Sequence, residues 1–266
     1  LENNEVVYEL LADMGWSSDS IDLDDWMKIY CEARYGGYPD AMEEAWKLFR
    51  KTAYSSLYSY PRFTWQTVVP DQRRISKIDL SDDYLQAIRL YASCADELKS
   101  SELYRNDLIE FVSYYLAAKA ENFYKQALKD DSENRVFAAQ RNLQQTVDLL
   151  MDVDRLLASH PLYRLEEWVE FARNSGTTLQ EKDAYEANAK RLITSWGGIQ
   201  EDYAARFWSG LIKDYYIPRI QLYFTKDRNK IREWEEQWIT SPWSNSTTPF
   251  DDPVKAALNL IEKTNK

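Results

Sequence analysis

Along most of the chain, apolar residues recur at steps of three and four, and the elements this pattern predicts are helices. A first short helix runs from Glu5 to Met14 with Val6, Leu10 and Leu11 on one side; Gly15 stops it and Trp16 packs back on it. Asp22 or Asp24 caps a second helix carrying Trp26, Ile29, Tyr30 and Ala33, which Gly36 and Gly37 end. Pro39 stands in the first turn of a third, through Ala45, Leu48 and Phe49, so that the two form a hairpin. Three longer elements follow as an antiparallel three-helix core. Ser81 opens one through Tyr84, Ile88, Tyr91, Ala95 and Leu98. Glu102 opens the next, whose buried side holds Leu108, Phe111, Val112, Tyr115, Leu116, Phe123 and Leu128. Past a turn at Asp130, Asp131 and Ser132, the last runs through Val136, Leu143, Val147, Leu150 and Leu157.

The pattern lapses over residues 55–79, a stretch rich in aromatics and prolines that is expected to be a packed loop. It resumes with Pro161 opening a helix through Leu165, Trp168, Val169 and Phe171. Thr177 or Thr178, with Glu181, then caps a helix that reaches Trp196. Next, Tyr203, Phe207, Leu211 and Tyr215 fall at four-residue steps, with Glu201 and Asp202 in a first turn and Pro218 at the end. An amphipathic helix with Trp234, Trp238 and Ile239 stops at Pro242, and Ala256 to Ile261 supports a small final helix before a fraying end. The fold class is therefore all-α: a multi-helix, bundle-like domain of antiparallel helices with one long aromatic-rich loop.

Composition supports helices and narrows the partners. Seven glycines and eight prolines in 266 residues are few, whereas ten tryptophans and nineteen tyrosines demand a bulky core and amphipathic rings at the surface. With 33 Lys and Arg against 44 Asp and Glu, the net charge of -11 opposes binding to a phosphate backbone, so nucleic acid is not expected as a partner. No apolar run approaches the roughly 18 residues of a membrane span.

The chemistry on offer is sparse. Cys31 and Cys94 lie in helical patterns far apart and read as buried free thiols. His160 is the only histidine, which rules out a zinc site with two or more His, and it reads as a turn residue before Pro161. Asp148 and Asp152 share a helix face without the oxygen-rich loop of a calcium site, so they read as a solvated face and no metal is expected. Asn245, Ser246 and Thr247 match a glycosylation sequon, a pattern with many false positives. One corner stands out: Trp196 at a bend beside Gly197 and Gly198, then Asp202, Tyr203 and Arg219. The mixture of ring faces and polar tips suits a polar ring, although aromatic stripes at helical spacing are more often core.

Two segments carry a family resemblance. The first is Glu5, Val6, Val7 and Tyr8 with Leu10, Met14, Gly15 and Trp16, then Ala33, Arg34, Tyr35, Gly36, Pro39, Asp40, Ala41, Ala45 and Trp46. The second runs from Leu156 to Ser159 through Tyr185 to Asn188, Thr194 to Gly197, Asp202 to Ala204, Gly210 and Leu211 to Tyr215, Tyr216, Pro218 and Arg219. In this order they resemble the end of the catalytic barrel and the C-terminal helical domain of the α-N-acetylglucosaminidases, family 89 of the glycoside hydrolases. Residues 55–133 agree less well.

The resemblance implies a retaining glycosidase that removes terminal α-linked N-acetylglucosamine from glycans, without a cofactor, outside the cytoplasm. Such chemistry uses two carboxyl groups about 5 to 5.5 Å apart. In the family both belong to the barrel, and the nucleophile's motif lies just upstream of the segment matching Asn4 to Tyr8, so no catalytic residue is expected here: Glu2 and Glu5 are poor candidates and the nucleophile is expected upstream of Leu1. Residues 1–16 then read as the end of the link from the barrel and 17–266 as the C-terminal helical domain. The expected partners are that barrel and a glycan ending in N-acetylglucosamine. By the same resemblance Trp196, Tyr203, Asp202 and Arg219 line the sugar pocket, while Phe207, Leu211 and Tyr215 remain core. A helical module that binds a protein or glycan with no catalytic role is the alternative.

Overall fold

A computed structural model describes residues 4–55, 63–67, 81–196, 202–244 and 246–264. Among the described residues the chain forms twelve α-helices and no β-strand, only an isolated bridge between Arg164 and Ser209. The chain divides into two compact units.

The first unit comprises Leu1–Leu57, Asp79–Tyr115 and Asp252–Lys266. It holds α1 (Glu5–Trp16), α2 (Leu23–Tyr35), α3 (Asp40–Lys51), α4 (Asp82–Ser93), α5 (Ala95–Leu98), the N-terminal part of α6 (Glu102–Ser132) and α12 (Pro253–Thr264). Asp22, not Asp24, caps α2, accepting from the amides of Asp24 and Asp25, and Gly36 ends it at φ +85°, a conformation that glycine adopts without strain. Pro39 stands one place earlier than expected, at the cap position before α3, and Ser81 caps α4. The core is aromatic: Phe49 stacks on Phe111 at 4.3 Å and Tyr91 on Tyr104 at 4.9 Å, pairs worth about 0.5–1.5 kcal/mol each beyond area burial. Asp107 anchors it, accepting two bonds of 2.8 Å from Arg34 and one of 2.6 Å from the Tyr35 hydroxyl. Cys31 and Cys94 are buried free thiols, as their setting predicted.

Three boundaries in this unit differ from expectation. Gly15 does not stop α1, which continues to Trp16, and Trp16 is 92% exposed rather than packed back. A glycine costs a helix only about 1 kcal/mol, and nothing after it supplies a tighter stop. The helix from Asp82 breaks at Cys94 and resumes as α5. α12 is longer than expected, spanning Pro253–Thr264, so the end expected to fray is helical as far as Thr264; residues 265–266 lie outside the described residues.

The second unit comprises Tyr58–Ile78 and Leu116–Asp251. It contains the rest of α6, α7 (Val136–Leu157), α8 (Leu165–Asn174), α9 (Leu179–Leu192), α10 (Ile217–Tyr223) and α11 (Arg228–Thr240). The turn expected at residues 130–132 falls later: α6 runs to Ser132, Asn134 takes the left-handed conformation at φ +58°, and Asp130 is a buried acceptor for Gln126, Arg135 and Asn142. Four bonds to one carboxylate's neighbourhood hold the helix end in place of a polar turn. α8 starts at Leu165, not Pro161, and His160 is indeed a turn residue, its Nδ1 accepting from the Leu162 amide. Thr178 caps α9 in a reciprocal box with Glu181. Within the aromatic loop, Thr64–Gln66 is a turn of 3-10 helix, and its Trp65 and the preceding Phe63 are fully buried. Residues 56–62 and 68–79 of that loop lie outside the described residues.

The largest departure lies at residues 202–218. Tyr203 and Phe207 are outside any helix; the chain becomes helical at Leu211, widens to a π-helix over Ile212–Tyr216 and passes through Pro218 into α10. Proline lacks an amide and crowds the carbonyl four residues back, and a wide turn just before it removes both conflicts. Phe207 is core as expected, but by packing on Phe63 at 5.8 Å and Trp65 at 6.3 Å rather than along a helical stripe. The start of this helical run is capped from a distance. Asp154 on α7 accepts from the amides of Gly210 (2.8 Å) and Lys213 (3.0 Å) and from the hydroxyls of Thr247 (2.6 Å) and Ser209 (3.3 Å). Even with these bonds, burial pushes its carboxyl up to about 6.

Candidate functional site

α9 ends at Leu192, and backbone bonds hold the described residues on either side of positions 197–201. The Trp196 amide donates to the Arg191 carbonyl at 2.8 Å, and the Asp202 amide donates to the Thr194 carbonyl at 3.0 Å. Trp196 and Asp202 both hold left-handed backbone, φ +53° and +61°. For a large side chain that conformation costs on the order of 1–2 kcal/mol, and such strain persists where surrounding contacts enforce it. Residues 197–201, including Gly197, Gly198 and Glu201, lie outside the described residues.

The two predicted aromatic residues come together there. The rings of Trp196 and Tyr203 meet edge to face, with centroids 5.4 Å apart and planes at 60°. Tyr203 is 64% exposed and Trp196 is half-buried, so both rings are reachable from solvent.

The two charged residues form a different environment. Arg219, 2% exposed, donates from Nη1 to Asp202 (2.7 Å), Glu235 (3.0 Å) and the Tyr215 hydroxyl (3.1 Å), and from Nη2 to the Gln66 carbonyl (2.6 Å). Its guanidinium also lies 4.7 Å from the Tyr215 ring centroid. Burial works against the charge, but the carboxylates of Asp202 and Glu235 with the Tyr215 oxygen outweigh it, and the pKa rises well above the ordinary arginine value. The Tyr215 hydroxyl, itself donating to Glu235 at 2.8 Å, is pushed well above its ordinary range by burial. Asp202 is 3% exposed. Thus Asp202 and Arg219 are a buried ion pair that fixes the residue next to Tyr203.

Sequence reading did not find Glu235 or Gln66. The Tyr215 to Arg219 spacing of four residues is a readable helical contact, but nothing local marks a carboxylate on α11 or a carbonyl in the aromatic loop as its partners. Chemically, the corner offers two amphipathic ring faces and a phenol hydroxyl on a rigid mount. Among the described residues, the carboxylates of the corner, Asp202 and Glu235, are both held by Arg219.

Comparisons with known proteins agree with this architecture. The family model described as the alpha-N-acetylglucosaminidase (NAGLU) C-terminal domain matches residues 26–263. Human alpha-N-acetylglucosaminidase is 30% identical over 99% of this chain, which spans 38% of that protein. A family 89 glycoside hydrolase from Clostridium perfringens, solved in complex with PUGNAc, superposes with a TM-score of 0.85 at 24% identity, covering 98% of this chain and 34% of that one. A doubly substituted form from the same organism, in complex with its substrate GlcNAc-alpha-1,4-galactose, gives a TM-score of 0.84 at 24% identity over 97% and 33% of the two chains. At that identity the likeness is one of fold. This chain therefore spans little more than a third of the relatives it matches, and with the family model covering nearly all of it, the chain belongs to the alpha-N-acetylglucosaminidase C-terminal domain family.

Proposed function

We propose that this chain is the helical part of an α-N-acetylglucosaminidase, a retaining hydrolase that removes terminal α-linked N-acetylglucosamine outside the cytoplasm. In this reading it packs on a catalytic barrel of the same protein and completes the sugar pocket. Trp196 and Tyr203 present ring faces to the sugar and its acetamido methyl, and the Tyr203 hydroxyl takes a sugar hydroxyl. Asp202 and Arg219 act from behind as positioning residues, holding the strained backbone that aims Tyr203. Two carboxyl groups about 5 to 5.5 Å apart, one nucleophile and one acid/base, come from the barrel.

The observation that carries this reading is the exposed edge-to-face pair of Trp196 and Tyr203, mounted on left-handed backbone in a chain of this family. Its test uses the full-length enzyme. Trp196→Ala is expected to lower kcat/KM on an aryl α-N-acetylglucosaminide by about tenfold or more, a loss of roughly 1.4 kcal/mol of transition-state binding. Phe137→Ala, which trims a ring that is 89% exposed on α7, serves as the reference. Equal rates for the two variants would remove Trp196 from the pocket.

A further inference from the structure

Away from that corner, the second unit contains a cleft of about 620 Å³ between α8, α9 and the segment following α11. Its volume falls within the roughly 300–1,000 Å³ typical of small-ligand sites. Val169, which is buried, and Trp243, which is half-buried, supply its apolar surface. Trp243 cannot swing away: its backbone amide donates to Glu186 and its indole Nε1 donates to Asp214 at 3.0 Å. Glu186 is itself fixed by Arg173 at 2.6 Å and by the buried Lys190 at 3.2 Å. The apolar surface is therefore pre-organised, which lowers the cost of binding.

The polar lining divides in two. Glu166 pairs with Arg164, and Arg173 is taken by Asp183 and Glu186. By contrast, the carboxylate of Glu170, the amide of Asn174, the ammonium of Lys182 and the hydroxyl of Ser244 line the same cleft without a bonding partner among the described residues. The two free charges are opposite and cancel. What remains is a set of uncommitted donors and acceptors around an apolar surface with no net charge, which matches a ligand with many hydroxyls, one carbon-hydrogen face and no charge of its own.

We infer that this cleft binds a neutral saccharide of one to three units, at a site separate from the Trp196 and Tyr203 corner and independent of the function proposed above. Hydroxyls of the sugar bond to Glu170, Asn174, Lys182 and Ser244, and an apolar face rests on Trp243. No bond is made or broken there.

The test is saturation-transfer NMR and calorimetry on the full-length protein with lactose, cellobiose and maltotriose, none of which carries an acetamido group. A sulfated disaccharide is run beside them. Millimolar binding of at least one neutral probe is expected, weakened about tenfold or more in the double variant Glu170→Ala, Asn174→Ala. Both side chains are exposed and have no partner among the described residues, so the melting temperature should not move, and circular dichroism checks that the fold is kept. Absence of binding by all three neutral probes up to about 50 mM would overturn the inference. So would neutral binding that survives the double substitution, or binding of the sulfated probe alone. Loss of Trp196 function in the enzyme would leave this result untouched.

Discussion

Asp154 shows how one residue's environment sets a testable property. Its carboxylate gathers four donors from two separate stretches of chain, yet burial still raises its pKa to about 6. A folded-state value above that of the unfolded chain means the folded protein takes up a proton first as pH falls. This group's contribution to stability therefore grows as pH drops from 7 through 6 toward 4, is complete below the unfolded carboxyl value, and is lost again as pH rises through 6. Asp154→Asn keeps the shape, accepts from the Gly210 and Lys213 amides with its oxygen, and donates to the hydroxyl oxygens of Ser209 and Thr247. Urea melts from pH 4 to 7 should find the variant at least as stable as the parent at pH 7, with the difference in its favour shrinking toward pH 4 by up to about 3 kcal/mol. A difference that does not vary with pH would show that folding does not raise the Asp154 pKa. Arg219 differs in kind: its charge is compensated on two sides, so its removal would strand Asp202 and Glu235 together in the interior.

The elements were legible wherever local spacing and tertiary packing ask for the same thing. α2 and α11 lie where the apolar steps place them, and α4 and α9 begin where Ser81 and Thr178 cap them but end short of the predicted Leu98 and Trp196, at Ser93 and Leu192, because a cap satisfies amides only within a few residues of the helix start. Residues 203–215 were misread because Tyr203, Phe207, Leu211 and Tyr215 fall at four-residue steps by coincidence of two different causes. Phe207 is buried by rings from the distant aromatic loop, and Tyr203 is set by a strained turn, neither of which leaves a local pattern. At the site, the pairing of Trp196 with Tyr203 was readable as proximity around a bend, whereas the Arg219 partners on α11 and in the aromatic loop were not. Gly210 marks the junction where this irregular stretch becomes helical. It holds φ +83°, and a Cβ there would lie 3.1 Å from both Leu165 Cβ and Trp243 Cζ2. Gly210→Ala combines left-handed strain with overpacking against the start of α8 and is expected to cost about 2 to 4 kcal/mol in a chemical melt. A loss below about 0.5 kcal/mol would mean that the helix start can shift without consequence.

At the scale of the whole molecule, a set of buried carboxylates is spent on holding elements together. Asp107 is bound by Arg34 and Tyr35, Asp130 by Arg135 and Asn142, and Asp154 by two amides and two hydroxyls. Glu121 is bound by Thr64 and Lys125, Glu186 by Arg173 and Lys190, and Asp202 and Glu235 by Arg219. Each of these groups braces one element against another, and a retaining glycosidase needs two carboxyls that instead face a substrate across about 5 to 5.5 Å. The purified 266-residue chain is therefore expected to release no aryl group from an α-N-acetylglucosaminide above the blank, under conditions in which the full-length protein turns over. Turnover that follows the chain through successive purification steps and vanishes on replacing one of its own carboxylates would place the chemistry here and refute the division of labour. Inactivity of the chain combined with a Trp196→Ala defect in the full-length enzyme is the joint outcome that assigns binding to the helical part and bond cleavage to the barrel.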